Sequence, residues 1–135
     1  MIRVPVFTVV SDDAIVFMKI PIKSITVETE QIHSVSLTHI KEYYLVSGYD
    51  IQLYKVDYED QGGAGMPNHK DIVLDNTFTF DLNIRYNDIY MMVDKNNYIK
   101  INGKSIPLNV SEYGSVELSI KRQFLVEYLF KVGVL

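Results

Sequence analysis

The segment from Phe78 to Tyr86 alternates apolar and polar residues without a break. Successive side chains of a β-strand point to opposite faces of the sheet, so a strand here has one apolar face and one polar face. An α-helix would spread the same apolar residues around its circumference. The apolar set is Phe78, Phe80, Leu82, Ile84 and Tyr86. The pattern therefore predicts a β-strand that is buried on one side.

The composition favours the same secondary structure for the rest of the chain. The 135 residues include ten Tyr and six Phe, whereas Ala, the best helix former, occurs only at Ala14 and Ala64. Hydrophobic residues make up 47% of the chain, enough for a packed core without disulfides or metals. About ten short strands separated by turns predict one domain, residues 1–135. We expect an all-β fold with little or no helix: an antiparallel sandwich, jelly roll or barrel.

Two patterns predict local backbone geometry. Asn102-Gly103 indicates a hairpin, because both central residues of a type I′ turn have positive φ, which Asn and Gly adopt most readily. The apolar phase changes between the segments Tyr49–Leu53 and Tyr54–Tyr58. A strand changes face only where an extra residue is inserted, so we expect a β-bulge near Leu53 and Tyr54.

Two further predictions concern strand order. Pro5 interrupts the first apolar strand, Ile2–Val10, and proline cannot donate a hydrogen bond to a β-ladder. We therefore expect this strand to lie at a sheet edge or to begin at the proline. The connections after Phe78 are short and rich in Asn and Asp, which are turn residues. The stretch from Phe78 to Val110 is accordingly predicted to be a four-strand meander.

The C-terminal stretch is compatible with two structures. Apolar residues recur at every second position from Val116, interrupted only by Arg122, and several of them are β-branched, which favours strands. From Phe124 onward apolar residues also recur at helical spacing, and Gly133 is suited to end a helix. We favour strands and keep the helix as the alternative. A segment that is apolar on both faces is either a central core strand or a contact with a neighbouring subunit.

Composition and charge argue against several functions. The chain has no Cys, which removes disulfides, thiolate catalysis and Cys-ligated zinc. Its net charge of −4, with acids and bases interspersed, gives no attraction to nucleic acid or anionic lipid. No signal-peptide pattern follows Met1, and no apolar run approaches the roughly 20 residues of a membrane-spanning helix. We expect a soluble protein without nucleic-acid or membrane partners.

Residues 60–70 form the one stretch without periodicity. Its glycines and proline predict a long exposed loop. The Walker spacing Gly-x-x-x-x-Gly-Lys-Ser/Thr is absent, so phosphate binding is not predicted. If this loop binds anything, protein contact is favoured over catalysis, and the C-terminus is a second candidate contact. The candidate partner-contacting residues are Gly62, Gly63, Gly65, Met66, His69, Phe124, Val126, Tyr128, Phe130 and Leu135.

Patterns for catalysis and metal binding are weak. His33 and His39 would lie about 20 Å apart on one strand, too far to share an ion. No Ser occupies a Gly-x-Ser-x-Gly elbow. We predict no enzymatic activity, no metal and no cofactor. The alternative kept here is a small β-barrel enzyme with His33, His39 or His69 at its mouth.

Five tyrosines crowd one segment and suggest a carbohydrate-binding module, an alternative that ranks ahead of the enzyme. Tyrosine rings can stack on sugars, but Trp is absent, and tyrosines on strands more often cover sheet edges and interfaces. The residues are Tyr43, Tyr44, Tyr49, Tyr54 and Tyr58.

The leading hypothesis is a non-enzymatic structural or assembly module. We expect it to form homo-oligomers, or to dock on other proteins, through its apolar C-terminus and the 60–70 loop. By analogy of composition and fold class alone, such a module would suit a virion or a phage tail.

Overall fold

The computed structural model describes residues 2–32, 39–59, 72–74 and 77–133. They form eleven strands and one short helix, which confirms the predicted all-β class. The strands are β1 Arg3–Ser11, β2 Ala14–Lys19, β3 Ile25–Ile32, β4 His39–Ser47, β5 Asp50–Glu59, β6 Ile72–Leu74, β7 Thr77–Tyr86, β8 Asp88–Asp94, β9 Ile99–Ile101, β10 Lys104–Ser105 and β11 Tyr113–Phe124. The helix, α1, is Leu125–Lys131.

The strands form two antiparallel sheets that share one apolar core. The smaller sheet has the order β2-β1-β11-β8, and the larger has the order β10-β9-β3-β4-β5-β7-β6. The smaller sheet contributes Phe7, Val9, Met91, Val93, Val116, Leu118 and Ile120 to the core. The larger sheet contributes Ile25, Val27, Tyr44, Val46, Ile51, Leu53, Val56, Ile99 and Ile101. The architecture is therefore a β-sandwich.

The strand predicted from strict alternation is confirmed as β7. Its polar residues Asp81, Asn83 and Arg85 are exposed, whereas Leu82 and Tyr86 are half-buried and packed against the core. The alternation thus reports which side of this strand faces inward.

The predicted bulge in β5 is also confirmed. Tyr43 of β4 lies opposite Lys55, and the next residue, Tyr44, lies opposite Leu53, so Tyr54 is the extra residue. The pairing of β5 with β7 shifts at the same place. The inserted residue explains how inward-facing Leu53 and Val56 can both be buried although they are three positions apart.

The turn at Asn102-Gly103 joins β9 to β10 as predicted. Asn102 has a φ of 50° and Gly103 a φ of 85°, and Ile101 lies opposite Lys104. The Asn102 side-chain oxygen also accepts a hydrogen bond from the backbone N–H of Thr26 at 2.9 Å. The turn is therefore tied to the neighbouring strand β3 as well as closing its own hairpin.

The predicted four-strand meander from Phe78 to Val110 is wrong. β7 pairs with β5 and β6 in the larger sheet, β8 pairs with β11 in the smaller sheet, and β9 returns to the larger sheet beside β3. Asn87 alone connects β7 to β8. The last predicted strand also stops at Ser105, two residues before Pro107, which has no N–H for a ladder. The short connections in this region pass from one sheet to the other, whereas the turns of a meander join neighbouring strands of the same sheet.

The prediction that the first strand lies at a sheet edge is also wrong, because β1 runs between β2 and β11. The pairing with β2 reaches only as far as Phe7, which lies opposite Lys19. Pro5 lies beyond that point and pairs in register only with Arg122 of β11. The missing N–H of Pro5 is thus tolerated where β1 has a neighbour on one side.

The favoured strand interpretation of the C-terminus is wrong beyond Phe124, and the helical alternative is correct for Leu125–Lys131. Phe124 lies opposite Arg3, the first residue of β1, and the Leu125 N–H next along the chain still donates to the Ile2 carbonyl. The backbone then satisfies its hydrogen bonds within a helix. Gly133 ends it with a φ of 82°, and its N–H donates to the Phe130 carbonyl at 3.2 Å.

Arg122 interrupts the apolar face of β11 at the end of the sandwich. Its guanidinium lies 5.1 Å from the ring centroid of Tyr49, in the turn between β4 and β5. A cation over an aromatic face is attractive, so this contact joins β11 of the smaller sheet to a turn of the larger sheet.

Candidate functional site

The helix α1 presents apolar side chains at the protein surface. None of its residues is buried: Val126 is 43% exposed and Phe130 is 72% exposed. Leu125, Tyr128 and Leu129 are half-buried. A seven-residue helix with no buried residue gains little from packing, so its outward face is a candidate contact surface.

Ile2 extends this apolar surface. It is 68% exposed and lines a shallow depression of about 220 Å³ with Leu125, Val126 and Leu129. The backbone N–H of Leu125 donates to the Ile2 carbonyl at 2.9 Å, which holds the N-terminal segment beside the helix. We call Ile2, Val126, Leu129 and Phe130 the C-terminal apolar patch.

Two opposite charges flank the patch. Glu127 and Lys131 line a second depression, of about 290 Å³, together with Val126 and Phe130. Their spacing of four residues places them on one side of the helix. The patch is therefore apolar at its centre, with one acid and one base along a single flank.

The other predicted contact residues of the C-terminus are placed differently. Phe124 is half-buried, with the guanidinium carbon of Arg3 4.7 Å from its ring centroid. Tyr128 is half-buried. Leu135 lies outside the described residues. Among the C-terminal members of the predicted set that the structure describes, Val126 and Phe130 are thus the exposed ones.

The predicted loop contacts Gly62, Gly63, Gly65, Met66 and His69 lie outside the described residues, and their role stays a prediction. The same holds for His33. The third histidine, His39, is exposed, with its Nδ1 3.7 Å from Oε1 of Glu30. Within residues 2–32, 39–59, 72–74 and 77–133, no three His, Asp or Glu side chains are grouped as a metal site would require. The enzyme alternative stays a prediction.

The five tyrosines considered for sugar stacking do not share one face. Tyr44 is buried in the core, whereas Tyr43 lies on the outer face of the larger sheet. Lys55 Nζ is 4.7 Å from the ring centroid of Tyr43, and the Tyr43 hydroxyl donates to Asp57 at 3.0 Å. Burial and the adjacent Asp57 carboxylate raise the pKa of Tyr43. The carbohydrate-binding alternative stays a prediction, as does the virion or phage-tail setting.

A partly buried carboxyl group, missed in the sequence, lies on the inner side of β4. Glu42 accepts hydrogen bonds from the Tyr44 hydroxyl at 2.9 Å and from the Gln31 side-chain amide. Burial raises the pKa of the Glu42 carboxyl, and these hydrogen bonds lower it in part. Glu42 shares its face with Tyr44 and Val46, and this period-two relation was the available signal.

Replacing Glu42 with glutamine is expected to stabilise the protein above about pH 5. A carboxyl whose pKa is raised by folding contributes most stability below its unfolded pKa of 4.5 and loses it as pH rises through the folded value. The amide keeps an acceptor for Tyr44 without the buried charge. Thermal unfolding from pH 4 to pH 8 should show the variant's advantage growing with pH.

A matched variant, Glu112→Gln, removes an exposed carboxyl away from the C-terminal helix and should show no such trend. An advantage for Glu42→Gln that is constant with pH, or largest at pH 4, would contradict the assigned cause.

The chain is thus a two-sheet antiparallel β-sandwich domain with an apolar helix on its surface. Residues 27–108 match a family described as a domain of unknown function (DUF1850). This match spans more than half of the 135 residues, and the chain belongs to the DUF1850 family. Neither the curated proteins nor the solved structures contain a significant match. No helix among the described residues has the length and apolar character needed to cross a bilayer.

The family match covers one part of the architecture. It includes most of β3 and all of β4 to β10, and so the larger sheet together with β8. β1, β2, β11 and α1 lie outside it. The C-terminal apolar patch is therefore built from residues beyond the matched region.

Proposed function

We propose that this protein is a self-associating assembly module whose copies pack α1 against α1 across a two-fold axis. The observation that carries the proposal is the 72% exposure of Phe130 in the last turn of a helix with no buried residue. Contiguous exposed apolar surface on a protein is typical of an interaction site. A two-fold contact uses the same surface on both copies, which makes it the simplest occupant of a single patch.

The charges beside the patch favour a second copy as the occupant. In an antiparallel helix pair, Glu127 of one copy lies beside Lys131 of the other, and the reciprocal pair forms across the axis. Both pairs are attractive, and no like charges of α1 are brought together. Opposite charges at an interface rim set orientation more than affinity. The apolar centre, Val126 and Phe130, would supply the binding free energy.

The neighbouring Ile2 widens this contact. A seven-residue helix is about 10 Å long, too short to form an interface of about 800 Å² per copy by itself. Ile2 is held beside α1 by the hydrogen bond to Leu125, so packing of two helices also buries the Ile2 side chain. The interface is therefore expected to involve the N-terminal segment as well as the helix.

Replacing Phe130 with aspartate is expected to convert the oligomer to a monomer. The variant places a charge at the apolar centre, where desolvation is costly. Sedimentation velocity across a concentration series should show a concentration-dependent dimer for the unmodified protein and a monomer for the variant. Circular dichroism and the melting temperature establish that the variant is folded.

Two controls distinguish this interface from nonspecific hydrophobic association. Ile22→Asp changes an apolar residue away from the helix that is 88% exposed, and it should leave the dimer intact. Glu127→Lys should weaken the dimer, and the double variant Glu127→Lys with Lys131→Glu should restore it. A monomeric unmodified protein, or equal losses for Phe130→Asp and Ile22→Asp, would overturn the proposal.

A further inference from the structure

The smaller sheet ends in an exposed strand with an apolar outer face. Tyr90 is 71% exposed, Met92 is 42% exposed, and Tyr113 on the neighbouring β11 is 62% exposed. They line one side of a shallow depression of about 500 Å³, together with Met91, Gly114 and Ser115. Tyr90 and Met92 are two positions apart on β8 and so point to the same side of the sheet. This surface is separate from the α1 patch.

The backbone edge of β8 is regular. β8 is the terminal strand of its sheet, and its pairing with β11 runs from Asp88 to Asp94 without a register shift. In the described part of the chain, no strand pairs with its outer side. Exposed edges are commonly protected by proline, lysine or a bulge, and β8 contains none of these. At the opposite edge, the pairing of β2 with β1 is interrupted by a bulge.

At one end of this edge, a backbone N–H is already bonded within the protein and is not available to a partner strand. The backbone N–H of Asp94 donates to the side-chain oxygen of Asn97 at 2.8 Å. The segment available for an additional strand is therefore Asp88–Val93, with the Asp94 side chain marking its end. Six residues correspond to about 20 Å of extended chain, the length of an ordinary strand.

Acidic groups surround the apolar centre. Asp88 and Asp94 lie on the same face as Tyr90 and Met92, one at each end of the strand. Glu117 lies opposite Tyr90 and accepts a hydrogen bond from its hydroxyl. Next to Asp94, a further depression is lined by Glu112 and by one base, Lys95. Acids thus outnumber bases around this surface.

These charges argue against a second copy as the occupant of this edge. Two β8 strands paired antiparallel about Met91 would place Asp88 of each copy opposite Asp94 of the other. Like charges directly opposite on neighbouring strands are destabilising. A partner strand with a basic residue at each end would instead form two opposite-charge pairs.

We propose that β8 binds an extended peptide segment of a partner protein as an added antiparallel strand. The segment has apolar residues at alternate positions and a lysine or arginine at each end, six residues apart. Backbone hydrogen bonds to β8 supply affinity, as in other cases of strand addition. The apolar side chains cover Met92 and Tyr90, and the two bases face Asp94 and Asp88. This binding site is independent of the proposed self-association through α1.

A designed peptide tests the proposal directly. Acetylated and amidated Lys-Thr-Ile-Thr-Ile-Thr-Lys places its lysines and isoleucines on one face, opposite Asp94, Met92, Tyr90 and Asp88 in turn. Its counterpart, with glutamate at both ends, has the same apolar residues and the opposite charge. Each carries a fluorophore on a flexible extension and is titrated by anisotropy into the Phe130→Asp protein, so that association through α1 does not interfere.

The lysine peptide is expected to bind more tightly than the glutamate peptide, and Asp88→Lys should weaken its binding about three- to tenfold. Asp88→Lys should strengthen binding of the glutamate peptide, which a merely unfolded variant could not do. Ile15→Lys, at the β2 edge of the same sheet, should change neither affinity. Hydrogen exchange of amides in Asp88–Val93 should slow when the lysine peptide is bound.

Equal affinity of the two peptides, an equal loss for Ile15→Lys, or unchanged exchange in β8 would overturn the proposal. So would a dimer that persists in the Phe130→Asp protein and is abolished by Met92→Lys, because a second copy would then occupy this edge. Loss of the α1 dimer leaves the peptide result unaffected, so the two proposals can fail separately.

Discussion

Replacing Leu118 with alanine is expected to lower the free energy of unfolding by about 2–5 kcal/mol. Leu118 is fully buried in β11, opposite Val9 of β1 on one side and Ile89 of β8 on the other. Truncation leaves a cavity between the two sheets, and strands paired on both sides cannot easily collapse to fill it. Urea unfolding, with the midpoint and slope fitted together, measures the loss.

Lys121→Ala on the same strand is the matched control. Lys121 is exposed, and its removal should change the free energy of unfolding by less than about 0.5 kcal/mol. A loss below about 1 kcal/mol for Leu118→Ala would contradict its place at the centre of the core.

Replacing Gly114 with alanine is expected to cost about 1–3 kcal/mol, which is a large effect for a single methyl group. A Cβ at this position would meet the side chain of Val110 and come within 2.5 Å of Oδ2 of Asp12. The Asp12 carboxylate cannot move freely, because its Oδ1 accepts the backbone N–H of Ser115 at 2.9 Å. The new methyl group therefore strains the contact between β11 and the turn after β1.

A double-mutant cycle identifies the cause. Val110→Ala removes the nearest obstacle, so Gly114→Ala should cost less in that background than in the unmodified protein. Gly103→Ala serves as the control: its cost comes from a φ of 85°, with no atom near the new Cβ. Its effect should add to that of Val110→Ala without coupling. Additive losses for Gly114 and Val110 would contradict the steric explanation.

The two proposed surfaces differ in their relation to the family. β8 lies within the residues matched to DUF1850, whereas α1 lies beyond them. They also differ in chemistry: the α1 patch is flanked by one acid and one base, while the β8 edge is bordered mainly by acids. A contact between copies suits the first, and a basic partner segment suits the second.

Features determined by neighbouring residues could be predicted from the sequence. Three such features depend only on backbone geometry over a few neighbouring residues: the alternation in β7, the phase change at Tyr54 and the turn at Asn102-Gly103. Each is confirmed. The exposure of Val126 and Phe130 also agrees with a surface role for the C-terminus, although the local structure around them is a helix and the favoured strand was wrong.

The features that only the tertiary structure decided depend on contacts between residues that are distant in the sequence. The C-terminal pattern allowed both a strand and a helix, and the structure changes from one to the other after Phe124, which lies opposite the first residue of β1, Arg3. Pairing with β11 determines the sheet to which β8 belongs. The hydrogen bond from the Leu125 N–H to the Ile2 carbonyl holds Ile2 beside α1, although the two residues are far apart in the sequence. Sequence periodicity indicates which side of a segment is apolar. Which strand or helix covers that side depends on how distant parts of the chain pack together.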